Sequence, residues 1–149
     1  MIALEGAPPA ITAAGAGHVA LGAAYTALRR DRRIGTLAPG CELAGPGARS
    51  ARLRAPLRGA VDFTRSAPRR VRSITILGGA SARGVGVGAT TAQARRAFPH
   101  ATLDRSSERV FGIALLTVPK RDGGRFQLAV DASTGKVTEI GIPAVAFCE

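Results

Sequence analysis

Three apolar stretches in the second half of the chain have the patterns of β-strands. Phe126, Leu128 and Val130 alternate with polar or small residues, and another strand pattern covers Val137–Ile142 after the turn sequence Ser-Thr-Gly-Lys. Alternation with a period of two is typical of strands with one buried face. Residues 110–118 are almost continuously apolar, which indicates a strand buried on both faces or at an interface between units. The second half therefore predicts an antiparallel meander.

A helix is predicted immediately before this meander. Thr90 is a good N-cap residue, and Gln93, three positions later, completes a capping box. Residues 92–97 are good helix formers, and Pro99 ends the segment.

The first half has the same pattern in a looser form. Tyr25 and Leu28 form an apolar helix face after Ala24, and strand patterns cover residues 51–55, 61–63 and 71–77. Each predicted helix follows an extended lead, at residues 11–21 and 84–87. Both halves therefore predict a helical segment followed by an antiparallel sheet.

The two halves align at a shift of 66 residues. Residues 19–30 match residues 85–96, and Val71, Ile74 and Ile76 match the apolar positions of Val137–Ile142 at the same shift. Two separate matches with one shift indicate a duplication. The predicted fold class is α+β, with two tandem repeats, each a helical segment followed by an antiparallel meander sheet. Residues 1–80 form unit one and residues 81–149 unit two, packed as one compact body.

Closely spaced glycines precede both predicted helices and raise the question of a cofactor loop. Gly15 and Gly17 belong to a G-x-G-x-x-A sequence, which in dinucleotide-binding folds lets the backbone approach a pyrophosphate. Such a site also needs an acidic residue about 20 positions later, at the end of a second strand. Asp31 comes too early, and no strand pattern precedes Glu42. We therefore expect the glycines to form turns into helices, and we expect no cofactor.

No pattern of catalytic or metal-binding residues is found. The two histidines, His18 and His100, have no ligand spacing with each other or with the cysteines. The ten acidic residues include no close helical pair suited to paired-carboxylate chemistry. The sequence predicts a non-enzymatic protein without catalytic, cofactor or metal sites; a nucleotide-dependent enzyme is the weaker alternative.

The chain is strongly basic, with a net charge of +11. One interpretation is an anionic partner such as nucleic acid, a membrane surface or an acidic protein. The other is compositional bias, since nearly all the basic residues are arginine. The aromatic content of 4% is low for a single-strand binder, which usually stacks bases on aromatic rings. The candidate anionic-partner face consists of Arg52, Arg54, Arg65, Arg69 and Arg70.

Cys41 and Cys148 are the only cysteines. They form either one disulfide, which would indicate an oxidising compartment, or two buried thiols. We favour the disulfide, although the spacing does not decide between the two. The start, MIALEGAPPA, has no signal-peptide pattern, and no apolar run is long enough to predict a transmembrane helix.

The helix start at Gly88, Thr90, Ala92 and Gln93 resembles the G-M-T-x-A-Q-V motif of β-lactamase-inhibitor-protein-like tandem repeats. It is also similar to small outer-membrane assembly lipoproteins of the SmpA/OmlA type. Ala89 stands for the Met and Ala94 for the Val, and unit one matches only at Gly22 and the apolar Leu28.

The resemblance implies small α/β units used for protein binding outside the cytoplasm, without catalysis. The inhibitor type presents an aromatic- and acid-rich concave sheet, whereas this chain is basic and poor in aromatics, so no contact residue is transferred. Nor does the chain have the N-terminal lipid-anchor cysteine of the lipoprotein type. We expect an extracytoplasmic or secreted domain with an unknown protein partner; the alternative is a basic protein that binds nucleic acid or an anionic surface.

Overall fold

The computed structural model describes residues 9–120 and 124–147, and antiparallel β-structure dominates it. These residues form eleven strands and three short α-helices. In chain order they are β1 (Ile11–Thr12), β2 (Gly15–Ala16), β3 (Val19–Ala20), α1 (Tyr25–Arg30), β4 (Ala38–Pro39), β5 (Arg49–Arg52), β6 (Arg58–Phe63), β7 (Val71–Gly78), α2 (Thr91–Ala97), β8 (Thr102–Asp104), α3 (Glu108–Phe111), β9 (Ile113–Pro119), β10 (Arg125–Asp131) and β11 (Val137–Ile142). A 3-10 turn, Glu42–Ala44, precedes β5.

The strands form two sheets. β1, β2 and β3 form a small sheet, and the other strands form an eight-stranded sheet in the order β4-β5-β6-β7-β11-β10-β9-β8. Every neighbouring pair is antiparallel. The order is symmetric about the contact between β7 and β11, so the last strands of the two halves of the chain meet at the centre.

The predicted fold class, α+β with two helix-plus-meander repeats, is wrong. The chain is 44% strand and 14% helix, and its helices have only six, seven and four residues. The predicted extended lead of the first half is itself the small sheet β1–β3. The eight-stranded sheet also gains β4 and β8, of two and three residues, which are too short to produce a recognisable apolar alternation.

The prediction of one buried strand over residues 110–118 is also wrong. Residues 108–111 form α3, and Gly112 ends the helix with a left-handed φ of 69°. Glycine adopts this conformation without the steric cost of a Cβ, so the chain turns here and the strand begins only at Ile113. Burial alternates along β9, which lies beside β8 at the end of the sheet, whereas the two halves meet through β7 and β11.

Both sides of the predicted capping box are confirmed at the start of α2. The Thr90 hydroxyl accepts a hydrogen bond from the Gln93 amide at 3.1 Å, and the Thr90 amide donates to Oε1 of Gln93 at 2.9 Å. In α1 the N-cap position holds Ala24, which makes no side-chain cap. The sequence predicted this difference correctly because capping depends only on neighbouring residues.

Backbone hydrogen bonds recur at the predicted shift of 66 residues. The amide of Gly22 donates to the Val71 carbonyl, and the amide of Gly88 donates to the Val137 carbonyl, both at 2.8 Å. The returning bonds also match: Val71 donates to Ala23 at 2.9 Å, and Val137 donates to Ala89 at 2.8 Å. Each helix start is therefore fastened to the last strand of its own half. The unit bounds 1–80 and 81–149 stay a prediction.

The core lies between the eight-stranded sheet and the segments that pack on one of its faces. Leu28 of α1 and Ala94 of α2 are buried against this face. Tyr25 meets Phe63 and Phe98 meets Phe126 in edge-to-face contacts, with ring centroids 5.4 and 5.7 Å apart. The largest fully buried side chains are Val, Ile and Leu: Ile34, Ile74, Ile76, Leu116, Leu128, Ile140, Ile142, Val19, Val61 and Val137. The opposite side of the sheet is called the open face below.

Candidate functional site

The open face is built from every second residue of the central strands. Because side chains alternate along a strand, the partners of the buried positions point away from the helices. Cross-strand register places these residues in rows. One row consists of Arg52, Ala60, Thr75, Gly141, Gln127, Thr117 and Thr102. A second row, toward the other ends of β9 and β10, consists of Glu139, Ala129, Leu115 and Asp104.

Residues 143–147, called the tail below, cross the middle of this face. The amide of Val145 donates a hydrogen bond to Oε1 of Gln127 at 2.9 Å, and Nε2 of Gln127 donates to Oγ1 of Thr117 at 3.0 Å. A Cβ on Gly141 would collide with the carbonyl of Ala144. The glycine therefore permits the close approach of the tail to the strand.

The tail brings two distant loops together above the sheet. The ring of Phe147 stacks on that of Phe111 with centroids 4.4 Å apart and an interplanar angle of 23°. On its other side, the carbonyl oxygen of Phe147 lies 4.0 Å from Sγ of Cys41. Segments around residues 41, 111 and 147 thus form a partial second layer over the open face.

A cavity of about 220 Å³ lies where the tail meets β6 and β7. Asp62 lines it, and its carboxylate accepts a hydrogen bond from the Ser73 hydroxyl at 3.3 Å. Burial raises the pKa of Asp62, while the Ser73 hydrogen bond and the charge of Arg72 oppose that rise. Arg49 and Arg65 line the same cavity, so this carboxyl group sits in a basic surrounding.

Glu139 is the second partly buried carboxyl group of the open face. Its cross-strand neighbour is Ala129, and Leu115 follows in the same row. Burial against these apolar neighbours raises the pKa of Glu139. On β7, Leu77 lies one register position beyond the Ile76–Ile140 pair, beside Glu139, and is 49% exposed.

Large exposed apolar side chains border this face. Besides Leu77, they are Leu43 beside the small cavity, and Val110 and Phe111 in α3. Val87, in the loop before α2, is the remaining one in the described part of the chain. Four of five such side chains therefore lie on or around the open face, and clustered exposed apolar groups are typical of interaction surfaces.

The five arginines predicted as one anionic-partner face occupy opposite ends of the sheet. Arg52 and Arg54 lie at the end of β5, where Arg52 pairs with Ala60 near the start of β6. Arg65, Arg69 and Arg70 lie in the turn that follows β6. The sequence did not reveal this separation because the direction of each strand fixes it.

Two of these arginines stabilise the backbone. Nη1 of Arg69 donates to the Thr64 carbonyl, and Nη1 of Arg70 donates to the Gly22 carbonyl, both at 3.0 Å. Arg70 thereby ties the turn to the segment that leads into α1. Arg52 and Arg54 are exposed, and Arg54 is drawn close to Arg33 by a backbone hydrogen bond of 3.1 Å.

The predicted disulfide has one described partner. Cys41 is partly buried beside Phe147, whereas Cys148 lies outside the described residues. The bridge therefore stays a prediction, and the position of Phe147 next to Cys41 supports it.

Residues 9–120 and 124–147 contain no group of three His, Cys, Asp or Glu side chains arranged to hold a metal ion. In the same part of the chain, the longest helix has seven residues, and none is long and apolar enough to cross a membrane.

Sequence reasoning missed the open-face residues Gly141, Gln127, Glu139 and Leu77. Gly141 gave a signal, because a glycine inside an apolar strand pattern often marks the close approach of another backbone. The other three have no local signature, since their importance depends on where the tail lies.

Comparison with protein-family models, with curated proteins and with solved structures found no match.

Proposed function

We propose that this protein is a non-enzymatic, exported domain that binds a protein partner through the open face. The observation that carries the proposal is the exposed apolar set Leu43, Leu77, Val110 and Phe111 around a sheet face that the helices leave uncovered. Interfaces typically combine such an apolar centre with a polar rim. The threonines, Gln127 and the two carboxyl groups would supply the polar part.

The proximity of Cys41 to Phe147 supports export, because a bridge to the next residue would persist in an oxidising compartment. The resemblance of the α2 start to extracytoplasmic binding repeats agrees with this proposal. The low aromatic content implies that the partner is held mainly by aliphatic contacts and hydrogen bonds.

Site-specific photo-crosslinking tests the proposal. A photoreactive amino acid at Leu77 should capture a discrete partner from the native extracellular fraction, and unlabelled wild-type protein should compete for it. The matched control carries the same group at Val87, which is exposed but outside the open face. Purified partner should then bind Leu77→Asp more weakly than wild type. Equal capture at both positions, or unchanged affinity of Leu77→Asp, would contradict the proposal.

The alternative function, binding to a polyanion, depends on Arg52 and Arg54. Within the described residues, the ion pairs are Arg30–Asp31 and Arg105–Glu108, and neither involves these two side chains. We expect only weak association with duplex DNA, near the non-specific range of about 10⁻⁴–10⁻⁶ M at physiological salt. Nanomolar, sequence-dependent binding that Arg52→Ala/Arg54→Ala abolishes would favour the alternative.

A further inference from the structure

A second, larger cavity lies on the helix side of the sheet, away from the open face. Its volume is about 700 Å³, within the range of roughly 300–1,000 Å³ that small-molecule sites occupy. It lies where the end of α2 approaches β1 and the ends of β9 and β10 that lead into their connecting turn.

The floor of this cavity is apolar and fixed by packing. Phe98, Phe126, Val118 and Ile11 line it, and all four are buried. Phe98 and Phe126 hold each other edge to face, so the two rings have a defined position without a ligand. An apolar ligand group would meet a surface that is already formed.

The rim carries three basic side chains, Arg83, His100 and Lys120, and all three are exposed. None of the residues that line the cavity is acidic, in contrast to the smaller cavity beside Asp62. In the described part of the chain no ion pair involves these three residues. The rim therefore has unneutralised positive charge directly above an apolar floor.

Arg83 is held over this cavity by its backbone and its side chain. Ala82 and Val85 exchange two backbone hydrogen bonds of 2.9 Å around the turn, and Arg83 adopts a left-handed φ of 49°. Its guanidinium carbon lies 5.7 Å from the centroid of the Phe98 ring, and Nη1 donates to the Ala97 carbonyl at 3.3 Å. These contacts place the cation at the rim before any ligand arrives.

We infer that this cavity binds an amphipathic anion, a carboxylate on a short apolar chain. Arg83 and Lys120 would donate charge-assisted hydrogen bonds to the carboxylate, while the chain covers Phe98 and Phe126. An inorganic anion would leave the floor unfilled, and a neutral apolar molecule would leave the cations unpaired. The site is separate from the open face, so this inference does not depend on the proposed function.

Calorimetric titration of the full chain with octanoate tests the inference, with 1-octanol and acetate as matched probes. Octanoate combines the charge of acetate with the chain of octanol, so it should bind measurably more tightly than either. In a parallel NMR titration, octanoate should shift the resonances of Phe98 and Phe126 before those of Gln127 and Glu139. Equal binding of octanoate and acetate, or shifts confined to the open face, would overturn the inference.

The two lysines of the chain provide a matched pair of variants. Lys120→Gln should weaken octanoate binding about two- to fivefold, as expected for one exposed charge interaction. Lys136→Gln makes the same chemical change in the turn before β11, outside the cavity, and should leave the affinity unchanged. The same loss in both variants would mean that only the net charge matters, which would refute a defined site.

Discussion

Thr75 and Gly141 lie directly opposite each other in the central strand pair, and they are 66 residues apart in sequence. The flanking pairs, Ile76 with Ile140 and Ile74 with Ile142, exchange with each other under the same shift. An approximate twofold axis therefore passes between Thr75 and Gly141. The symmetry is broken at this point, because only the second half has a tail that needs the space of a missing side chain.

Gly141→Ala should lower the free energy of unfolding by about 1–3 kcal/mol, the usual cost of forcing extra volume into a packed site. The added methyl group would collide with the Ala144 carbonyl and push the tail off Gln127. Hydrogen exchange should show faster exchange of the Val145 amide, and denaturant unfolding should give the stability change.

Gly35→Ala is the control for this change. A Cβ at Gly35 would meet only the Arg52 carbonyl, at an ordinary 3.8 Å. It should therefore leave the Val145 amide protected, and the reduced freedom of the unfolded chain should change stability by no more than a gain of about 0.4–1 kcal/mol. If Gly35→Ala also released the tail, the collision at Gly141 would not be the cause.

Local patterns predicted the strands whose burial alternates and the helix that has a capping box. The prediction for β11 over Val137–Ile142 is confirmed, and that for β7 is confirmed to within one residue. Alternation in these strands is strong because one face packs on the core.

Features that depend on tertiary structure could not be read from the sequence. The edge strands β4 and β8 are too short to show a period, and each forms only by pairing with a longer strand. The open face was missed because its residues become a surface only when eight strands are in register and the tail lies across them.

The helix caps provide the second prediction. Thr90→Ala removes the side-chain acceptor at the start of α2 and should cost about 0.5–2 kcal/mol of stability. The first half offers the reverse experiment, since Ala24 has an extended backbone with φ −77° and ψ 138° but no cap. Ala24→Ser should raise the denaturation midpoint. A loss of stability in both variants would show that the N-caps do not limit these short helices.

The pKa of Glu139 gives a pH-dependent prediction. Because burial raises its pKa in the folded state, its contribution to stability is fully present below the ordinary value of 4.5. That contribution is lost as the pH rises through the folded value. Glu139→Gln should therefore be more stable than wild type at neutral pH, and the difference should disappear below pH 4.5. Denaturant midpoints across this range measure it.

Asp131 is the control with the opposite sign. Hydrogen bonds from the Ser133 backbone and side chain lower the pKa of Asp131, so its contribution is present above the ordinary value of 3.8 and lost as the pH falls. Asp131→Asn should be less stable than wild type at neutral pH. The same direction of change in both variants would contradict the assignment of Glu139 to a desolvated position.

The last prediction concerns a disulfide between Cys41 and Cys148. The Phe147 carbonyl oxygen lies 4.0 Å from Sγ of Cys41, so the next residue in the chain starts within reach of that sulfur. A bridge here would close a loop of 107 residues and fasten the tail across the open face, which the chain-entropy model values at about 4–5 kcal/mol. Cys148→Ser should lower the free energy of unfolding by about 2–5 kcal/mol in oxidising buffer, and Cys41→Ser by a similar amount, because either change removes the same bridge. In reducing buffer all three proteins should unfold at similar denaturant concentrations. Two reactive thiols in denatured, unreduced wild-type protein would exclude the bridge and remove the main support for export.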